Sequence, residues 1–198
     1  MQYCSGADAA IIATTKCTIP SIVLHVNAFQ LPWISNVHVK VFATNLYGDS
    51  QTSEVGNGAI IVHYPDQPTT LTENFADRTV SSVGFTWLDG ADNGGLPVID
   101  YRVKVTSSDQ SFSLVVNGLT SQRYTQTGLT LGITYLFTVE SRNSHGFSNS
   151  TAAFGILCAV KPLVPTELVT VNSNDNVIFR WKAPSDQGSP ITAYRVQI

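Results

Sequence analysis

The chain has 198 residues and a net charge of −3. Its charged residues make up 13%, about half of the roughly 25% usual in soluble domains, so the surface is near neutral and rich in hydroxyl and amide groups. The 11 Lys and Arg are spread singly and form no basic stripe, which argues against nucleic acid as a partner. No run approaches the roughly 18 to 20 apolar residues of a membrane-spanning helix, and no signal-type segment is read at the N-terminus, so a secreted protein would carry its signal elsewhere or have lost it.

Taken in order, the chain opens with Cys4 and Cys17, separated by a segment that can fold back. A disulfide closing that loop would contribute about 3 kcal/mol; two buried free thiols are the other reading. After Pro20, the residues Ile22, Leu24 and Val26 alternate with the period of a strand. Val37 to Asn45 alternate for a further nine residues, predicting a continuous strand closed by a turn at Leu46-Tyr47-Gly48. A last strand is expected near Ala59 to His63, and Pro65 and Pro68 mark a linker.

Strands are predicted near 69–74, 79–88, 97–106, 111–116, 121–127, 132–143 and 151–159. They are short, separated by Gly, Asn and Asp turns and free of helical period, which predicts an antiparallel sandwich. Val83, Phe85 and Trp87 mark the buried face of one strand, and Ile99, Tyr101, Val103 and Val105 that of the next. The same pair returns as Val177, Phe179 and Trp181 followed by Tyr194, with the two tryptophans 94 residues apart. Tyr135 to Asn143 likewise repeat Val37 to Asn45 at an offset of 98. The chain therefore reads as all-β and as a tandem repeat: residues 1–64 as the C-terminal part of one domain, 65–161 as a complete domain, and 162–198 as the N-terminal part of a third.

The middle segment resembles a fibronectin type III domain. The resemblance rests on Trp87, on Gly94-Gly95-Leu96-Pro97-Val98-Ile99-Asp100-Tyr101, on Leu129 followed by Tyr135, and on Val139 through Gly146. It implies immunoglobulin-like sandwiches with Trp87 and Trp181 as core anchors and with Leu129 and Tyr135 as a tyrosine corner. In the first piece Val37 stands in place of that tyrosine, so its corner must be held differently. The texture of the chain is also similar to large multi-repeat surface proteins of ciliates and other protists.

Signals of chemistry are few. Asp89-Gly90-Ala91-Asp92-Asn93-Gly94-Gly95 offers the oxygen ligands calcium prefers but departs from the spacing of an EF-hand loop, and an ordinary inter-strand loop is the stronger reading. His25, His38, His63 and His145 occur singly, without the paired spacing of a zinc site. No nucleophile elbow, zincin motif or phosphate loop is present, so no catalytic residue, metal site or cofactor is expected. Asn149-Ser150-Thr151 is a sequon, read as an N-glycan acceptor or as a polar turn; O-linked glycans on the abundant Ser and Thr are also compatible. Cys158 is left over, read as a buried small hydrophobe. Trp87 and Trp181 are expected in cores, while Trp33 is open to exposure.

The sequence thus reads as a non-catalytic structural protein, extracellular or on a cell surface. Its partners would be neighbouring copies or repeats of itself, joined head to tail into a rod or fibril, with each partial domain completed by the next. A receptor or adhesin repeat that binds protein or glycan, and a spacer of a secreted carbohydrate-active enzyme, are the alternatives.

Overall fold

The computed structural model describes residues 4, 6–26 and 29–198. The chain divides into two compact units, one formed by Met1–Asp66, Gly90–Ile99 and Arg142–Ser148, the other by Gln67–Asp89, Asp100–Ser141 and Asn149–Ile198.

The first unit begins with a short helix, α1 (Ala9–Thr14), whose Asp8 cap accepts the Ala10 N–H and whose end turns through Thr15 at φ 50°. Its sequence, Ala-Ala-Ile-Ile-Ala-Thr, is half alanine, the best helix former. Cys4 and Cys17 flank it and are joined in a disulfide with Cα atoms 5.7 Å apart; Ser5, between them, lies outside the described residues.

A second helix, α2 (Ser21–Val26), replaces the strand that the alternation of Ile22, Leu24 and Val26 predicts. Pro20 cannot donate a hydrogen bond, and its carbonyl instead accepts from Val23 N at 3.0 Å, which starts a turn. Val23 then buries against the unit, so packing overrides the β-branched preference of the segment.

The nine-residue strand expected from Val37 to Asn45 is also corrected. Two two-residue pieces at its ends take its place: β1 (Asn36–Val37), which pairs antiparallel with β4 (Ala59–Ile60), and β2 (Thr44–Asn45), which pairs antiparallel with β3 (Gly48–Asp49). Between them the two chains stay bonded, through Gly56 N to Val39 O, Ser53 N to Val41 O and Ser50 N to Ala43 O at 2.8–2.9 Å. The return bonds go to hydroxyls: Val41 N donates to Ser53 Oγ and Ala43 N to Ser50 Oγ, both at 3.0 Å. Serine side chains thus take acceptor places that carbonyls hold in a regular ladder.

The second unit holds the sandwich. One sheet has the order β5-β6-β9, made of Thr69–Asn74, Val83–Leu88 and Arg123–Gln126. The other has the order β11-β10-β7-β8, made of Phe154–Leu157, Thr134–Arg142, Asp100–Ser107 and Ser113–Leu119. All seven predicted strands of the middle segment are found, and the alternation of three of them supplies the core: Val83, Phe85 and Trp87 from one sheet, and Val103, Val105, Phe137 and Val139 from the other.

Phe85 and Phe137 meet with ring centroids 4.8 Å apart, and Trp87 lies edge-on to Tyr101 at 5.3 Å. Leu129 and Tyr135 are buried, and the Tyr135 hydroxyl accepts the Thr130 N–H at 3.0 Å, which closes the corner. Cys158 is a buried free thiol whose pKa burial pushes up. Arg78 closes the end of the sandwich, donating to the carbonyls of Leu157 and Ala159 and pairing with Glu73.

Beyond the sandwich, β12 (Thr166–Ser173) and β13 (Asn176–Lys182) form a two-stranded hairpin. It begins as the sandwich does, with a register irregularity after its first pair and a positive φ at its second residue: 54° at Glu167, as 53° at Thr70. Trp181, expected as a buried core anchor, is only half-buried. Among the described residues the hairpin forms a separate two-stranded sheet, and the aromatic ring that meets Trp181 is that of Tyr194, with centroids 5.2 Å apart.

Candidate functional site

The residues weighed as candidates for chemistry make structural contacts. In the Asp89–Gly95 loop, Asp89 accepts the Tyr101 hydroxyl and the Gln122 amide, while Asp92 accepts the Trp33 indole N–H at 2.6 Å. Among the described residues no group of three or more His, Cys, Asp or Glu side chains is placed to hold a metal ion. Asn149 is exposed, and Thr151 of the same sequon is buried with its hydroxyl accepting Val139 N at 3.1 Å.

Three of the four histidines, single in sequence, come together in the first unit. His25 stacks on Trp33 at 4.1 Å, Trp33 on His63 at 5.5 Å, His63 meets Tyr64 edge-on at 5.4 Å, and Tyr64 lies 4.6 Å from His145. Trp33 is half-buried between two imidazoles. Apart from the adjacent His63 and Tyr64, the rings arrive from different segments, so local spacing does not announce this row.

The geometry that recurs is a joint. In the first unit Ile34 N donates to Ile61 O, His63 N to Gly94 O and Asp66 N to Asp92 O, at 2.8–3.0 Å. In the second unit Gly132 N donates to Cys158 O, Val160 N to Gln187 O and Leu163 N to Ser185 O, at 2.9–3.1 Å. Each member of the first set has its counterpart in the second at the same step along the chain. The loops are also pinned alike: Asp92 accepts Gly94 N and Asn93 accepts Gly95 N, as Ser185 accepts Gln187 N and Asp186 accepts Gly188 N.

Backbone conformation follows the same pairing. Positive φ falls at Ile34 and Gly132 (69° and 81°), at Gly94 and Gln187 (70° and 52°), and at Gly95 and Gly188 (82° and 87°). A Cβ on Gly188 would lie 2.6 Å from Gly132 N and 2.9 Å from Cys158 O, so this glycine answers to space as well as to φ. A Cβ on Gly95 would lie 2.7 Å from Trp33 Cβ. The linker at residues 65–68 and its counterpart at 161–165 are therefore both held by main-chain bonds to a glycine-bearing loop.

Two apolar faces stay open. On the hairpin, Val177 is 53% and Phe179 37% exposed, at the places where the sandwich buries Val83 and Phe85 completely. On the ladder of the first unit, Val39 is 59% and Val41 66% exposed, where the sandwich buries Phe137 and Val139.

Residues 66–154 match the family described as fibronectin type III domain, so the chain carries such a domain, an immunoglobulin-like β-sandwich. A Kelch domain-containing protein of Saccharolobus solfataricus is 33% identical over 130 residues, covering 65% of this chain and 17% of that protein. Protein sidekick-2 of Gallus gallus is 28% identical over 134 residues, covering 62% of this chain and 6% of that protein. The chain thus spans a small share of the curated relatives it matches. Among solved structures, the titin kinase with its flanking domains matches at a TM-score of 0.42 and 26% identity, over 48% of this chain and 17% of that one. A human fibronectin type III domain solved in solution matches at 0.45 and 20%, over 53% of this chain and 88% of that one.

Proposed function

We propose, with the fibronectin type III domain of residues 66–154 as the premise, that this chain is a structural, non-catalytic part of an extracellular or cell-surface repeat protein, similar in build to the large multi-repeat surface proteins of protists. Its work is spatial. Sandwiches are strung head to tail into a rod or fibril, and partial domains are completed by the neighbouring repeat or subunit. Glycans on Asn149 or on surface hydroxyls would decorate it.

The observation that carries this reading is the duplicated joint. A linker serving only as a tether needs no defined bonds, whereas both linkers here donate two backbone N–H groups to the loop that follows, at matching positions. Joints of this kind limit hinge motion, which suits a load-bearing array better than a flexible display of binding modules.

Electron microscopy of native material, with intact mass under non-reducing conditions, tests the proposal. Fibres or rods with a regular axial repeat are the expected result. Discrete particles without extended assemblies would overturn it and favour a receptor or adhesin module.

A further inference from the structure

Three Asn-Gly pairs stand in the chain: Asn57-Gly58, Asn93-Gly94 and Asn117-Gly118. In such a pair the main-chain nitrogen of glycine can reach the side-chain carbonyl carbon of the asparagine before it, because glycine has no Cβ to obstruct the rotation. Whether it does so depends on what holds the two residues, and the fold holds the three pairs differently.

Asn93-Gly94 is locked. Gly94 N donates to Asp92 Oδ1 at 2.8 Å, Asn93 Oδ1 accepts Gly95 N at 2.9 Å, and the Asn93 carbonyl accepts Asn143 Nδ2 at 2.9 Å. Both the attacking nitrogen and the attacked amide are engaged. Space is closed as well, since a Cβ on Gly94 would fall within 3 Å of the His63 and Tyr64 carbonyl oxygens. Asn57-Gly58 is crowded: Asn57 is exposed, but a Cβ on Gly58 would fall within 3 Å of Asn36 Oδ1 and His38 Cε1. The backbone there has little room to turn.

Asn117-Gly118 is neither locked nor crowded. β8 pairs Val116 with Val103 and Leu119 with Tyr101, so Asn117 and Gly118 stand opposite the single residue Arg102 in a β-bulge. The bulge lies inside the domain of residues 66–154, on the edge strand of the four-stranded sheet. Both residues are exposed, Gly118 has φ 75°, and a Cβ on it would meet no atom within 4 Å beyond its chain neighbours. The Asn117 side chain makes no hydrogen bond among the described residues.

We propose that Asn117 is a site of spontaneous modification, converted to aspartate and isoaspartate through a succinimide closed by the Gly118 nitrogen. Base in the solvent takes the Gly118 amide proton, the nitrogen bonds to Asn117 Cγ, and the side-chain amide leaves as ammonia. Water then opens the ring at either carbonyl. One water is consumed and one ammonia released, with no oxidation or reduction.

The product adds a carboxylate where the edge has none, for residues 110–122 include no charged side chain. Charge on an edge strand opposes the addition of another strand, so conversion turns a neutral edge into a guarded one as the protein ages. The isoaspartate form lengthens the main chain by one atom at the place where the ladder already skips a residue. The pairs from Val103 with Val116 to Thr106 with Ser113 therefore keep their register.

Incubation of the 198-residue chain at neutral and at mildly alkaline pH, followed by tryptic mapping with fragment mass spectrometry, reads all three pairs at once. They fall in separate peptides, 41–78, 79–102 and 105–123. Peptide 105–123 should gain the mass difference between an amide and an acid at position 117, faster at the higher pH, and resolve into two products on chromatography. Peptide 79–102 should lag it at least about tenfold, because the bond from Gly94 N to a carboxylate must open first, with 41–78 between the two. In urea, where the fold no longer holds the pairs apart, the three rates should converge. Folded protein whose three peptides convert alike would overturn the proposal, as would a peptide 105–123 that stays unmodified while the unfolded chain converts.

Discussion

Trp87 and Trp181 close the same kind of strand, in Val-Gly-Phe-Thr-Trp and Val-Ile-Phe-Arg-Trp, yet lie in different surroundings. Trp87 is 2% exposed beneath a second sheet, and Trp181 is half-buried on a hairpin that has none. The alternation of a strand decides which side chains share a face. Whether that face becomes a core is decided by strands elsewhere.

The comparison breaks most visibly under truncation. Trp87→Ala should destabilise the sandwich by about 3–5 kcal/mol, while Trp181→Ala in the single chain should shift the same melt by less than about 0.5 kcal/mol. A denaturant titration followed by circular dichroism reads both, and equal losses would mean that the hairpin is covered.

Next is Gly188→Ala. Its positive φ alone costs about 1–3 kcal/mol, and the new methyl would meet main-chain atoms on both sides. Amide exchange at Val160 and Leu163 should lose protection, while the core amides of Phe85 and Phe137 keep theirs.

Trp87→Phe sharpens the comparison from within the core. The Trp87 indole N–H is buried without an acceptor among the described residues, a burden of about 1–3 kcal/mol. Phenylalanine removes it, so the variant should lose far less stability than its smaller volume implies, on the order of 1 kcal/mol.

The smallest effects are those of pH, and they belong to the sandwich alone. Burial pushes the Glu140 carboxyl up, but hydrogen bonds from Ser150, Lys104 and Arg102 outweigh it and hold the carboxyl below its usual range. Its contribution is complete above about pH 4.3 and is lost as pH falls through the lower folded value; Glu140→Gln should flatten that acid limb. Burial and the hydrogen bond to Asp89 push the Tyr101 hydroxyl up to about 12. That contribution is complete below about pH 10 and is lost as pH rises towards 12, a step that Tyr101→Phe should remove. Melting temperature against pH measures both limbs.

Much of the sandwich was legible because Val83, Phe85, Trp87, Tyr135, Phe137 and Val139 alternate cleanly and sit in strands long enough for the period to show. The helices were not. Ala9–Thr14 is shorter than two turns, and Ile22, Leu24 and Val26 carry a strand-like alternation that Pro20 and the burial of Val23 override. The Val37–Asn45 segment kept its direction and pairing partner but lost its regularity, since Ser50 and Ser53 fill bonds that side-chain alternation does not encode. The row around Trp33 was hidden because His25, His63 and His145 meet only in space. Of the joint, the sequence showed its prolines and glycines and nothing of its bonds.

Those bonds have a consequence for how such a chain can change over generations. The paired positions of the two joints differ in side chain throughout: His63 against Val160, Asp66 against Leu163, Asp92 against Ser185 and Gly94 against Gln187. Main-chain N–H and carbonyl groups are common to nearly every residue, so substitutions can accumulate at a joint while its bonding survives. Only the close approach at Gly95 and Gly188 ties it to one residue type. Segments joined in this way can diverge in surface and charge while the main-chain couplings that hold them stay the same.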